Sequence, residues 1–180
     1  TRRLLMFTQT AATKEPLSLE QVLSEPIALI SYQMSLDGIQ IKLAPVAKIP
    51  LFYGSLAEIR EVFLNLLLNA VESLESKGGK IHCQLQCHVQ DRIIELMILD
   101  TGTGIAQEHL EQIFNPFFTT RFGKSGLGLF ITRQIVNRYG GSVRIESRIG
   151  EGTLVMLRLP VADLSWAHPK AVILGASPEP

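Results

Sequence analysis

Apolar positions recur along this chain with two periods, and the switches between them mark out its elements. Val22, Leu23, Ile27, Leu29 and Ile30 repeat at helical spacing and predict a helix over residues 18–35, with Ser18 as N-cap and Asp37-Gly38 as its stop. Ile39, Ile41 and Leu43 then alternate with polar neighbours, the period of a strand, and residues 51–53 read as another short one. The strongest helical pattern follows Ser55, where Ile59, Val62, Phe63, Leu66, Ala70 and Leu74 return at three- and four-residue steps and build one core face. Gly78-Gly79 ends it. Residues 80–89 and 92–99 alternate again around a turn at Gln90-Asp91 and predict a hairpin. A short helix over 107–113 comes next, then a glycine-containing loop to Ser125, then a helix over 127–139 with Leu127, Phe130, Ile131 and Ile135 inward. Gly140-Gly141 closes it, and residues 143–147 and 153–159 predict a last hairpin around Gly150-Glu151-Gly152. The order of elements predicts an α/β (α+β) fold, a two-layer sandwich whose mixed sheet is covered on one face by three main helices.

Composition narrows the partners. With 180 residues, 46% of them hydrophobic, the chain suits one domain with a real core. Its 17 basic and 17 acidic residues balance, so no charge footprint points to nucleic acid or to an anionic membrane surface. No run reaches the roughly 18 apolar residues of a spanning helix, and the N-terminus lacks the order of a signal peptide. No membrane contact is expected of this segment, and a cytoplasmic setting is. The chain opens without Met in mid-helix pattern (Arg2, Arg3, Leu4, Leu5, Met6, Phe7), which suggests a piece of a longer protein. Residues 1–13 read as a helix end stopped at Glu15-Pro16, and residues 161–180 as a tail or linker. Cys83 and Cys87, flanked by His82 and His88, have the residue types of a metal site. On a strand they stand about 13 Å apart, at about 3.3 Å per residue, too far for one ion or a disulfide. They are expected to be small core-facing residues.

Four blocks carry candidate chemistry. On the long helix Asn65 and Asn69 share a stripe beside the apolar face, with Glu61 one turn earlier. Amide oxygens placed so suit a hard cation bridged to phosphate. Asp100 closes an apolar strand and is followed by Thr101-Gly102-Thr103-Gly104-Ile105. An unpaired carboxylate there is costly and calls for a donor, while Gly102 and Gly104 permit close backbone approach. The third glycine of a dinucleotide fingerprint is absent. Phe114, Phe117 and Phe118 around Pro116 are too many aromatics for an ordinary solvated loop, and Thr119, Thr120, Arg121 and Lys124 follow, the two cations being candidates for phosphate oxygens. Gly126-Leu127-Gly128 opens the third main helix, where free N–H groups and the helix dipole favour an anion.

Taken in order, Asn65-Leu66-Leu67-Leu68-Asn69-Ala70, the Asp100–Ile105 block, Phe114-Asn115-Pro116-Phe117-Phe118-Thr119-Thr120-Arg121 and Gly126-Leu127-Gly128-Leu129 resemble the N, G1, F and G2 boxes of the ATP-binding domain of two-component sensor histidine kinases, in the superfamily of gyrase, Hsp90 and MutL. The resemblance covers roughly residues 17–160 and implies the Bergerat ATP-binding fold, with ATP and Mg²⁺ as cofactors. It implies that Asn69 is the Mg²⁺ ligand with Asn65 its companion, and that Asp100 is the adenine-specific acceptor. It implies further nucleotide contacts from Gly102, Gly104, Ile105, Phe117, Thr119, Thr120, Arg121, Lys124, Gly126, Leu127, Gly128 and Thr153. Hydrolytic members of the superfamily carry Glu where Asn65 stands, so this departure points to phosphoryl transfer. Glu61 stays a catalytic candidate to which the resemblance assigns no proton. Arg121 stands where Lys is commonest, and only four residues separate it from Gly126, a short lid similar to nitrogen-regulation and sporulation-type kinases. Gly150-Glu151-Gly152-Thr153 fits a later glycine box, read here mainly as a hairpin turn.

None of His82, His88, His109 and His168 fits the phosphoacceptor of such a kinase. The resemblance therefore places the acceptor on a dimerisation helix upstream of Thr1, in a homodimer, with residues 1–15 as the end of that helix, residues 16–160 as the catalytic domain and residues 161–180 as a tail. The implied reaction moves the ATP γ-phosphoryl to that His for relay to the receiver-domain Asp of a response regulator. The full-length protein is compatible with a membrane anchor outside this segment. Two alternatives stand beside this: a nucleotide-binding pseudokinase or docking module, for which Leu64 and Leu68 offer apolar surface, and a protein serine kinase of the same superfamily. The Phe-rich block with Thr-Thr-Arg disfavours the anti-sigma kind of the latter, and Asn65 disfavours the mitochondrial dehydrogenase-kinase kind.

Overall fold

The computed structural model describes residues 13–34, 37–46, 48–74, 78–121 and 123–161. The helix end read over 1–13 falls almost wholly outside them, and so does the tail read over 161–180, except that Val161 is no tail residue: it is buried in the core and its N–H donates to Arg92 O at 2.8 Å. Ser18 caps α1 (Leu19–Met34), its carbonyl taking Val22 N–H at 3.0 Å and its Oγ meeting Gln21 N at 3.4 Å. Val22, Leu23, Ile27 and Ile30 are buried as their spacing predicts, whereas Leu29 is 63% exposed. At about 100° per residue, position 29 lies on the far side from 27, and Pro26 occupies the buried stripe instead.

The sheet runs β2 (Ile39–Leu43), β4 (Gly79–His88), β5 (Ile93–Asp100), β7 (Gly152–Pro160), β6 (Ser142–Arg148). It is mixed as expected, because β2 joins β4 in parallel and the other pairs are antiparallel. Register aligns Cys83 with Ile98 and Ile98 with Val155, so one parity of each strand forms the apolar inner face. Cys83 lies in that core, where burial pushes its thiol up to about 12, and Cys87 is half-buried against it. The same parity carries Asp100 and its partner Thr153 to the inner face at one end of the sheet.

Three helices cover that face, with α2 (Leu56–Leu74) between α1 and α4 (Gly128–Arg138). Besides the six apolar residues anticipated, α2 buries Leu67 and Val71, so its apolar arc is wider than the sequence suggested. Leu64 packs against the core as well, and Leu68 stays 44% exposed. On α4 the buried residues are Thr132, Ile135 and Val136, with Leu129 and Ile131 partly buried beside them. Leu127 and Phe130, expected inward, are only half-buried: Leu127 is the residue before the helix, and Phe130 falls off the stripe that 129, 132 and 136 define.

Two smaller elements differ from expectation. α3 (Gln107–Leu110) is shorter than the predicted helix, although a turn bond from Ile113 N to His109 O at 3.0 Å continues it. β1 (Glu15–Leu17), not anticipated, pairs antiparallel with β3 (Phe52–Gly54), and Pro16 is tolerated because this small ribbon leaves edge positions free. At the sheet end remote from Asp100, the Tyr139 hydroxyl donates to Glu58 and accepts Ser55 N–H at 2.9 Å, joining the end of α4 to the start of α2.

Candidate nucleotide-binding site

Asp100 is 4% exposed, and both Ser73 Oγ at 2.9 Å and Gly102 N–H at 2.8 Å donate to its Oδ1. The Thr153 N–H is a third donor. Burial raises its pKa above the ordinary 3.8, and the three hydrogen bonds and the more distant Arg121 charge offset this only in part. A carboxylate accepts about four hydrogen bonds. Asp100 therefore keeps acceptor capacity at a buried position, with no cation bonded to it among the described residues.

The loop after Asp100 is pressed onto its surroundings. A Cβ on Gly102 would lie 2.0 Å from Ser73 Oγ, so glycine is what lets the loop meet α2, and Thr103 N–H bonds Ser73 O at 3.1 Å. Ile105 N–H is held by Ser147 Oγ at 2.8 Å, and Ser147 in turn contacts Thr153 Oγ1 at 2.9 Å. Gly150 N–H reaches Thr103 O at 2.9 Å. The Gly150–Thr153 stretch is thus a hairpin turn, as read, and also a buttress for the Asp100 loop.

Along α2, Asn65 Nδ2 donates to Gly128 O at 3.3 Å and ties the helix to the first turn of α4. Asn69 is half-buried, one turn nearer to Asp100, and its amide makes no hydrogen bond among the described residues. Glu61 is exposed, one turn on the other side of Asn65. The first turn of α4 has no side-chain cap at Leu127, so its backbone donors stay available for an anion. Gly126 has φ +64°, and a Cβ there would lie 2.5 Å from the Phe117 carbonyl carbon, so only glycine seats this helix start on the Phe-rich block.

Two of the three phenylalanines fix that block. Phe114 lies under the Arg133 guanidinium at 5.0 Å, with its carbonyl taking Arg133 Nη2 at 3.2 Å, and Phe118 tilts against His109 at 5.5 Å. Phe117, at φ 66°, is 62% exposed and pins nothing. Thr119 Oγ1 accepts Arg121 N–H at 3.1 Å in a small turn, and Thr120 is exposed. Arg121 Nη1 and Lys124 Nζ both reach the Glu72 carboxylate, at 2.9 and 2.5 Å.

Asn65, Asn69, Asp100, Arg121, Lys124 and Gly128 are therefore gathered along one side of α2, Gly128 through Asn65, Asp100 through Ser73, and Arg121 and Lys124 through Glu72, while Glu61, Phe117 and Thr120 are exposed. Sequence reasoning missed Glu72 and Ser73. The signal existed: positions 65, 69, 72 and 73 fall on one helical stripe. The donor set suits a magnesium-bound nucleotide, with a buried acceptor for a base, an unengaged amide oxygen of the kind that hard cations take, two cations and an uncapped helix start.

The fold is a two-layer sandwich, a mixed five-stranded sheet under three helices. The model of the histidine kinase-, DNA gyrase B- and HSP90-like ATPases matches residues 54–163, and the chain belongs to that family, as an ATP-binding catalytic domain of the histidine-kinase type. Sporulation kinase D of Bacillus subtilis (strain 168) is 36% identical over 154 residues, covering 85% of this chain and 30% of that protein. The solved catalytic domain of histidine kinase ThkA is 25% identical, with a TM-score of 0.73 and coverage of 82% of this chain and 97% of that one. Full-length ShkA in complex with AMPPNP is 26% identical, with a TM-score of 0.70, over 82% of this chain and 31% of that one. The chain spans 22–32% of the length of the curated relatives it matches. No described helix is long and apolar enough to cross a membrane.

Proposed function

We propose that this domain binds Mg·ATP in a groove formed between α2, Asp100 and the start of α4, and presents the γ-phosphoryl to a histidine on the dimerisation helices of its own homodimeric protein. Relay to the receiver-domain aspartate of a response regulator in the cytoplasm follows. The observation that carries this reading is Asp100, a buried carboxylate with spare acceptor capacity and no counter-ion bonded to it, which an adenine amino group would satisfy.

In this reading Gly102, Gly104, Ile105 and Thr153 shape the base pocket around Asp100. Asn69 offers an oxygen to the metal, and Mg²⁺, when bound, supplies charge neutralisation at the phosphates. Arg121, Lys124 and the N–H groups at Gly126, Leu127 and Gly128 orient the phosphoryl oxygens, with Thr119 and Thr120 shaping the approach. Catalysis is then mostly positioning and electrostatic stabilisation. Asn65 is an amide committed to Gly128 O and takes no proton from water at neutral pH, which favours transfer over hydrolysis. Residues 16–160 form the catalytic unit in this reading, to which Glu15 also contributes through the β1–β3 pairing.

Calorimetric titration with a non-hydrolysable ATP analogue, with and without Mg²⁺ and with GTP as control, tests the site. Adenine-selective, Mg²⁺-sensitive binding is expected. Asp100→Asn is expected to weaken it on the order of 10- to 100-fold, the worth of a hydrogen bond to a buried charged group. Asn69→Ala is expected to spare base recognition but abolish acid-labile labelling of an added dimerisation fragment. No binding at millimolar nucleotide, or binding indifferent to both substitutions, overturns the proposal.

A further inference from the structure

Glu72 has both carboxylate oxygens committed to the cations that a triphosphate needs: Oε2 to Arg121 and Oε1 to Lys124. Its side chain is only 15% exposed, against 37% and 50% for the two cations, so the anchored partner is the helix residue and the movable partners are the loop residues. Its position is central. Glu72 lies one turn beyond Asn69 and next to Ser73, which holds Asp100, and the Arg121 charge is felt at Asp100. Glu72 thus lies on α2 between Asn69 and Ser73, the residue bonded to Asp100, along the side of the helix that a nucleotide with its base on Asp100 and its phosphates toward Asn69 and Gly128 would follow.

From this placement, and resting on the reading of the groove as an ATP site, we propose that Glu72 is the residue that sets selectivity for phosphate-bearing ligands, by competing with the triphosphate for Arg121 and Lys124. While Glu72 holds them, an incoming phosphate chain meets one net positive charge there rather than two. The same contacts draw the loop onto α2. Glu72 acts through the two cations without touching the ligand, so it is a positioning residue. The competition draws on ion pairs between partly exposed groups, which are individually weak and screened by salt.

Replacing Glu72 with the isosteric Gln separates these effects. For Glu72→Gln, affinity for a non-hydrolysable ATP analogue is expected to rise on the order of fivefold at low salt, given pairs of this exposure. Affinity for adenosine, which has no phosphate, is expected to stay unchanged, which also reports an intact fold. In an Arg121→Ala, Lys124→Ala background the gain should vanish, and Glu72→Asp should restore wild-type affinity in large part. Without any nucleotide, hydrogen exchange of the amides of 119–121 and 123–126 should speed up in Glu72→Gln. A gain that persists in the double-alanine background, an equal gain for adenosine, a fall in analogue affinity, or unchanged exchange in that loop overturns the role of Glu72. If the wild-type chain binds no nucleotide, the ATP-site reading falls, and the exchange measurement still decides whether Glu72 holds the loop.

Discussion

At Asp100 the environment, more than the residue type, makes the site. Burial outweighs three hydrogen bonds and holds the carboxyl above its ordinary 3.8. The folded state therefore binds this proton more tightly than the unfolded chain does. Asp100 contributes stability that is full below pH 3.8 and is lost as the pH rises through its folded value. Ligand binding runs the other way, because protonation removes the acceptor that an adenine amino group needs. Adenosine affinity is expected to fall on acidification at a pH above that of an ordinary aspartate, and Asp100→Asn should lose that dependence. Titrations between neutrality and the acid limit of folding check this. Asp100 and both asparagines were singled out in the sequence by the boxes they stand in, which resemble those of a histidine-kinase ATP site, and not by spacing alone. Ser73 and Glu72 share the helical stripe of the asparagines, but a serine and a glutamate near a helix end read as solvated, and only the loops that meet them give that stripe its partners.

Among the elements, α2 does two tasks with two faces, and the apolar one is wider than a six-residue pattern suggests. Leu67 is fully buried beside Phe63 and Leu66. Leu67→Ala is expected to destabilise the domain by about 2–5 kcal/mol, the usual range for emptying a buried leucine site. Denaturant unfolding should show this as a lower midpoint at unchanged slope. Helix α4 shows how a period can be right and its phase wrong. Residues 127–139 read correctly as a helix, but with a short apolar stripe several phases fit the sequence almost equally well. Burial of Thr132 in place of Phe130 was decided by where α2 and the sheet lie. β3 was anticipated, but β1 and its pairing with β3 were missed because Pro16 suggests a stop and a three-residue strand carries too few positions for a period to declare itself.

On the scale of the whole molecule, the sheet order brings Glu95, Gln86 and Arg158 from three adjacent strands together on the face away from the helices. Burial pushes the Glu95 carboxyl up, but bonds from Arg158, Gln86 and His88 prevail and hold it below its ordinary 4.5. It therefore contributes stability present above pH 4.5 and lost as the pH falls through its folded value. Arg158→Met leaves this buried carboxylate short of a donor and is expected to cost about 1–3 kcal/mol at neutral pH. The loss should shrink on acidification, as a protonated Glu95 no longer needs a cation. Thermal unfolding across pH measures both.

The order of strands and helices, the parity of the sheet and the boxes that resemble a histidine-kinase ATP site follow from local periods and short motifs, which neighbouring residues alone specify. The breadth of the α2 core face, the phase of α4, the β1–β3 pairing and the grip of Glu72 on Arg121 and Lys124 depend on contacts between segments tens of residues apart. Such contacts exist only once the helices are packed on the sheet, and no local pattern encodes which distant partner a side chain will meet.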